Sequence, residues 1–423
     1  MTDTDVTPAA GAPLTADDAA DERLIRAQGL GGYLRETLGR IRGGDLGSLP
    51  VVIGLVVILG VFYALEPKFL SSFSLMNITL FAAPIGIISL GIVLVLLLGE
   101  IDLSVGSVSG LAAASMAVLV VQKEQPLLVG LLVGLLVGTA IGLFYALLYV
   151  KIGVPSFVFS LAGLLAFQGG LFYVLGDKGT INLPRSNALV EFAREKFVSG
   201  VASYVLVVVV VAAFAALQVV GANRRRRAGL TPQPVVLVAV KSVLLLVGLL
   251  WVTWYIQQAG GRGWGYLVLF FVLLVVLLDL ALRKTTWGRH VFAVGGNREA
   301  ARRSGINVTA IYVSVFALCS TFAALGGLLM AAQLTSVSQN SGTTDTNLMA
   351  IAAAVIGGTS LFGGRGSAWA ALLGILVLQS IQSGLNIVGV DSSVRFMATG
   401  GVLLIAVAID SVSRRARTSS GRG

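Results

Sequence analysis

Two carboxylates stand two positions apart, Glu100 and Asp102, in the run GEIDLSVGSVSG between two apolar stretches. Carboxylates embedded in a membrane are the usual equipment of ion-coupled carriers. At the start of a helix the same Asp has a quieter use: it accepts from the free N–H groups and complements the helix dipole. Asp102, with Ser104, Gly106, Ser107 and Gly110 behind it, suits such a turn. A broken helix along a translocation path is the other reading, because irregular backbone is tolerated where it lines a cavity. Capping accounts for Asp102 and leaves Glu100 without a role.

A second set follows at VPSFVFSLAG, residues 154–163, and just beyond. Pro155 suits the start of a helix, where its missing N–H costs nothing. Phe157, Phe159, Ser160, Phe167 and Gln168 supply rings that stack on the C–H face of a sugar and groups that bond its hydroxyls, although rings in apolar helices also serve plain packing. Asp102, Ser104, Phe157, Ser160 and Gln168 are the expected path residues. The single histidine, His290, and the single cysteine, Cys319, allow no metal centre, haem site or disulfide. Gly363, Gly364 and Gly366 are not part of a phosphate-binding loop, and no nucleotide signature occurs. No cofactor is expected, and energy for uphill movement has to come from a partner.

The elements that must hold these residues are membrane spans. Of 423 residues 56% are hydrophobic and 12% charged, about half the charge of a soluble domain. Twelve apolar segments are legible: 50–65, 75–98, 103–121, 127–150, 154–175, 201–220, 234–256, 265–282, 309–331, 347–362, 368–388 and 394–410. Their continuous runs exclude a β-barrel. With the N-terminus inside, 22 of the 30 Lys and Arg fall on the cytoplasmic side and 8 outside, which is the positive-inside pattern. Arg224 to Arg227 are its strongest anchor, and the basic balance marks topology rather than nucleic-acid binding. The expected organisation is a cytoplasmic tail over 1–45, a transmembrane domain over 46–412 and a cytoplasmic tail over 413–423. Residues 21–43 have the makings of an amphipathic surface helix. The outer loop 176–200 is long enough for a short helix around 187–197.

Three further patterns concern how helices meet. Gly130, Gly134, Gly138 and Gly142 recur at i+4, so one helix face is stripped of side chains and a neighbour can approach closely. GGTSLFGGRGS at 357–367 is laid out like the run at 99–110, as in a chain with two related halves. Residues 283–308, RKTTWGRHVFAVGGNREAARRSGINV, form a basic polar island with six of the 30 cationic residues. A charge at bilayer centre costs ~2.5–3.5 kcal/mol, so the island lies outside the hydrocarbon. Asn297 suits a helix N-cap, Glu299 a first turn and Gly305 a left-handed C-cap. Ala300, Ala301 and Ser304 give a small-residue face. A helix this short is stable mainly when docked on something.

These runs carry a resemblance. The island, IDLSVGS at 101–107, VPSFVFSLAG at 154–163 and IAAAVIGGTSLFGGRGS at 351–367 resemble, in the same order, the signatures of ATP-binding-cassette sugar importer permeases of the ribose/xylose/arabinose/galactose group. The resemblance implies an all-α polytopic membrane protein of about twelve transmembrane helices with the importer permease fold. It implies that Asn297, Glu299, Ala300, Ala301, Arg302, Ser304 and Gly305 belong to a coupling segment that fits a groove on a cytoplasmic ATPase subunit. It also implies a second permease copy, and a periplasmic or lipid-anchored sugar-binding protein. The three spans between the outer loop and the island are similar to the longer xylose-type members, so a pentose such as xylose is the expected cargo. The rival classes are an ion-coupled secondary carrier and a membrane scaffold without transport.

Overall fold

A computed structural model of the chain describes residues 49–227, 235–258 and 260–395, with isolated positions from 397 to 404. The tails, the expected surface helix at 21–43 and most of the twelfth segment, 394–410, lie outside the described residues. The other eleven segments are helical, and the protein is an all-α polytopic membrane protein. Among the described residues nine helices are long and apolar enough to cross a bilayer, and two apolar helices are shorter.

In chain order the helices are α1 (Leu49–Leu65), α2 (Ser72–Leu97), α3 (Val105–Ala117), α4 (Leu127–Leu147) and α5 (Ser156–Leu175). Then come α6 (Val201–Arg227), α7 (Val235–Gln257), α8 (Tyr266–Lys284), α9 (Thr286–Gly296), α10 (Arg298–Arg303), α11 (Val308–Leu334), α12 (Thr344–Ile356) and α13 (Ala368–Ile387). Wide π-type turns extend α3 to Gln122 and α4 to Ile152. The outer loop holds one helical turn, Ala188–Val190, continued to Glu195. Two small antiparallel pairings tie the loops: β1 (Thr180–Asn182) with β4 (Ser336–Ser338), and β2 (Phe197–Val198) with β3 (Trp264–Gly265).

The chain divides into two compact units. The larger spans 47–200 and 255–423, and α2 is its axis, packed on α11, α13, α12 and α8. In lipid no hydrophobic effect drives helices together, so close approach and satisfied polar groups must hold them. The glycine stripe does this. Gly130 and Gly134 of α4 meet α3, Gly134 also meets Leu328, and Gly138 and Gly142 lie against the backbone of Ser320 and Phe316 on α11. The other unit includes 201–254, the apolar helix α6 and most of α7. Arg224 to Arg227 form the last turn of α6, which extends past the apolar run expected to end at 220.

One span is shorter than its segment. The run 347–362 reads as continuous, yet α12 stops at Ile356 because Gly358 has φ +100° and turns the chain. A buried amide compensates at the facing start of α3, where Asn347 Oδ1 accepts from the Gly106 N–H. That N–H is an orphan of the helix start, so α12 caps α3 from a distance of 241 positions in sequence.

Candidate functional site

The island folds as two helices set end to end, and the short one has the expected N-cap at Asn297 and left-handed C-cap at Gly305. Helix α9 begins where the Thr285 hydroxyl accepts from the Gly288 N–H at 3.1 Å. It buries Gly288, Val291 and Val294, and Trp287 Nε1 donates to Ser314 Oγ at 2.8 Å. It runs through both glycines to Gly296, where Asn297 adopts extended φ −156° and breaks it. The Asn297 side chain then caps α10 by accepting from the Ala300 N–H at 2.9 Å. At the other end the Gly305 N–H reaches the Arg302 carbonyl at 3.1 Å, and the Ile306 N–H reaches the Ala301 carbonyl at 3.1 Å. With Gly305 at φ +81° this is a Schellman motif.

Six residues form no stable helix alone, since nucleation is unfavourable and each cap contributes about 1 kcal/mol. The anchor is Ala301, 4% exposed and packed into the core. Ala301 therefore points inward, away from the small-residue face expected of Ala300, Ala301 and Ser304. Ala300, Arg302, Ser304 and Gly305 are exposed. Glu299 pairs with Arg302 at 3.2 Å and Arg303 at 3.3 Å, all three side chains being more than half exposed. Such pairs contribute only about 0.2–0.5 kcal/mol each, so Glu299 is nearly dispensable for folding.

The end of α9 meets both glycine loops. A Cβ on Gly295 would collide with the Leu97 carbonyl at the end of α2 and would lie 3.0 Å from the Gly364 nitrogen. The Gly364 N–H in turn donates to the Leu97 carbonyl at 2.8 Å. Gly363, at φ +85°, has room for a Cβ only 2.7 Å from the Gly295 oxygen and 3.0 Å from the Gly99 nitrogen. The runs at 99–110 and 357–367, alike in sequence, thus touch each other and the island, backbone on backbone.

Beyond Gly99 the break between α2 and α3 is a polar knot. Asp102 Oδ1 accepts from the Ser104 N–H at 2.8 Å and the Ser104 hydroxyl at 2.7 Å, and Tyr145 donates to Ser104 Oγ at 2.8 Å. Asp102 therefore caps the residue before the first turn of α3 rather than the turn itself. Burial raises its carboxyl above the ordinary aspartate value, opposed by the hydrogen bonds from Ser104. Glu100 is also employed. Its carboxylate takes the Tyr149 hydroxyl on one oxygen and the Ser156 hydroxyl, at 2.5 Å, on the other. Arg298, the first residue of α10, donates to Tyr149 Oη at 3.2 Å and lies 5.6 and 5.2 Å from the ring centroids of Tyr149 and Tyr312. Sequence reasoning missed Tyr149, Ser156 and Arg298, since no local spacing links positions 49 or more apart.

The five expected path residues separate into two groups. Asp102 and Ser104 are 1% and 0% exposed inside the knot, and Ser160 is buried with its hydroxyl on the carbonyls of Phe157, at 3.2 Å, and Ile101, at 3.4 Å. Phe157 is 52% exposed and Gln168 half-buried, so α5 carries them on its open side. A separate cavity of about 590 Å³ lies among α2, α11 and the outer loops, lined in part by Asn77, Glu195, Arg194, Arg262 and Gln333. It holds none of the expected residues.

Residues 74–408 match the family described as branched-chain amino acid transport system / permease component. The chain is 32% identical over 367 residues to the xylose transport system permease protein XylH of Escherichia coli, covering 86% of this chain and 92% of that protein. It is 32% identical over 370 residues to XylH of Haemophilus influenzae, covering 86% and 96%. It is also 32% identical over 368 residues to the ribose import permease protein RbsC of Bacillus subtilis, covering 87% and 94%. No solved structure matches.

Proposed function

This chain belongs to the branched-chain amino acid transport system / permease component family, and from that premise we propose that it is the membrane subunit of an ATP-driven importer of a pentose such as xylose. The names of the relatives support a sugar over the amino acids of the family description. The observation that carries the mechanism is α10. It is a six-residue helix capped at both ends, anchored by the buried Ala301 methyl and by Arg298 on Tyr149 and Tyr312, with its other residues open to a partner. A cytoplasmic ATPase subunit grips α10 through Asn297, Glu299, Ala300, Arg302, Ser304 and Gly305. Closure of the ATPase on ATP displaces α9 and α10. The glycine contacts of Gly295 with Leu97 and Gly364 carry that displacement into the end of α2 and the glycine loop between α12 and α13. A sugar-binding protein docks outside, and a second copy of the chain completes the path. Phe157 and Gln168, on the open side of α5, line that path, while Asp102, Ser104 and Ser160 hold its break in shape.

Reconstitution tests this reading. Proteoliposomes holding the chain with its ATPase, with the binding protein outside, are expected to accumulate D-xylose only with ATP and to ignore an uncoupler. Uptake without the ATPase that collapses with uncoupler would show a secondary carrier instead.

Both tails and the Arg224–Arg227 end of α6 face the cytoplasm in this reading. Single cysteines placed at positions 224–227 are expected to react with an impermeant thiol reagent only in inverted vesicles. Labelling of intact cells at these positions overturns the orientation.

A further inference from the structure

We propose that Tyr149 is a positioning residue that passes the displacement of α10 to the break between α2 and α3, with Arg298 on one side and Glu100 on the other. The inference rests on the importer reading and adds a route to it. Arg298 and Glu100 make no direct ion pair among the described residues; the Tyr149 hydroxyl bonds to both, and the Tyr312 hydroxyl lies beside it against Glu100. A phenol has one proton to give and lone pairs to receive. Here it gives the proton to Glu100 and receives the guanidinium N–H of Arg298, so each bond polarises the other.

The link continues past Glu100 into the backbone. The second carboxylate oxygen takes the Ser156 hydroxyl, and Ser156 Oγ accepts the Ile101 N–H at 3.3 Å. Ile101 lies within the break, and Ser156 is the first residue of α5. A shift of Arg298 therefore acts together on the end of α4, the start of α5 and the break. The Tyr149 ring is held independently of its hydroxyl, stacked on Tyr312 with centroids 4.5 Å apart and tilted against Phe316 at 5.6 Å. A plain packing role needs the ring; a relay needs the oxygen. Tyr149→Phe removes only the oxygen and leaves both charges and the cation–π contacts in place.

The test measures D-xylose taken up per ATP hydrolysed, in proteoliposomes holding the whole complex. For Tyr149→Phe the expected result is unchanged assembly and ATP hydrolysis with uptake per ATP lower by roughly fivefold or more, the lower end of ordinary site-to-site coupling. Arg298→Ala is expected to show the same loss, and the double variant to be no worse than Arg298→Ala, because both act on one connection. Arg298 is exposed, so that variant also serves if Tyr149→Phe fails to assemble. Equal uptake per ATP in the unaltered and Arg298→Ala complexes, or additive losses in the double variant, overturns the relay alone. Absence of ATP-driven uptake by the unaltered complex overturns the importer reading and the relay with it.

Discussion

Gly142→Leu is expected to reduce the yield of monodisperse protein in detergent to a small fraction of the unaltered chain's. Even a Cβ at this position would lie 2.7 Å from Ala317 Cα and 2.9 Å from the Phe316 carbonyl carbon, with the Phe316 oxygen closer still. These are backbone atoms, so no rotamer change relieves the clash, and α4 would have to part from α11. Helix α11 also packs on α2 and α3, so parting disturbs the axis of the larger unit. Forcing one or two extra methylenes into a packed core costs about 1–3 kcal/mol, and a leucine against backbone exceeds that range. Typical stabilities of roughly 5–15 kcal/mol leave little reserve. The control is Gly60→Leu in α1, where a Cβ meets nothing within 4 Å and the yield is expected to hold. Equal yields for the two variants would show that the glycine stripe does not set the α4–α11 distance. Size-exclusion profiles of the fluorescently tagged proteins make the comparison.

The second large effect is functional. Gly305→Trp and Glu299→Arg are each expected to lower xylose uptake by roughly tenfold or more, within the 5–150-fold span of ordinary coupling energies. Expression is expected to persist in both. Gly305 has φ +81°, so any side chain there carries strain, but a Cβ meets nothing within 4 Å. That strain is about 1–2 kcal/mol and local. Glu299 loses two exposed ion pairs of little value. Neither change reaches the core, so a large loss of uptake reports the partner and not the fold. Pull-down of the ATPase subunit separates lost docking from lost coupling. Unchanged uptake in both variants would show α10 to be an ordinary loop.

The spans were legible in the sequence because lipid accepts only continuous apolar helices; among the described residues the pattern breaks at Gly357 and Gly358, where a conformational turn interrupts an apolar run. The island was legible for the opposite reason, as charge and caps that lipid excludes. Its ends at Asn297 and Gly305 follow from local hydrogen-bonding chemistry. Ala301 is grouped with Ala300 and Ser304 in the sequence because a small residue reads alike on either face of a short helix. The meeting of Leu97, Gly295 and Gly364 was hidden, since glycine pairs announce that something comes close but not what. The likeness of the runs at 99–110 and 357–367 read as a sign of duplication, while their contact through the island is a three-dimensional fact. Glu100 found its role only when Tyr149 and Ser156 arrived from the far ends of other helices.

Helix α2 has 89% of its apolar window enclosed by the protein, whereas α6 and α7 have 11% each, although the three windows are equally apolar. Such a helix is apolar all round because the neighbours that wall it in are as apolar as lipid. The same surface serves before α11, α12 and α13 are made, when lipid can stand where they will pack.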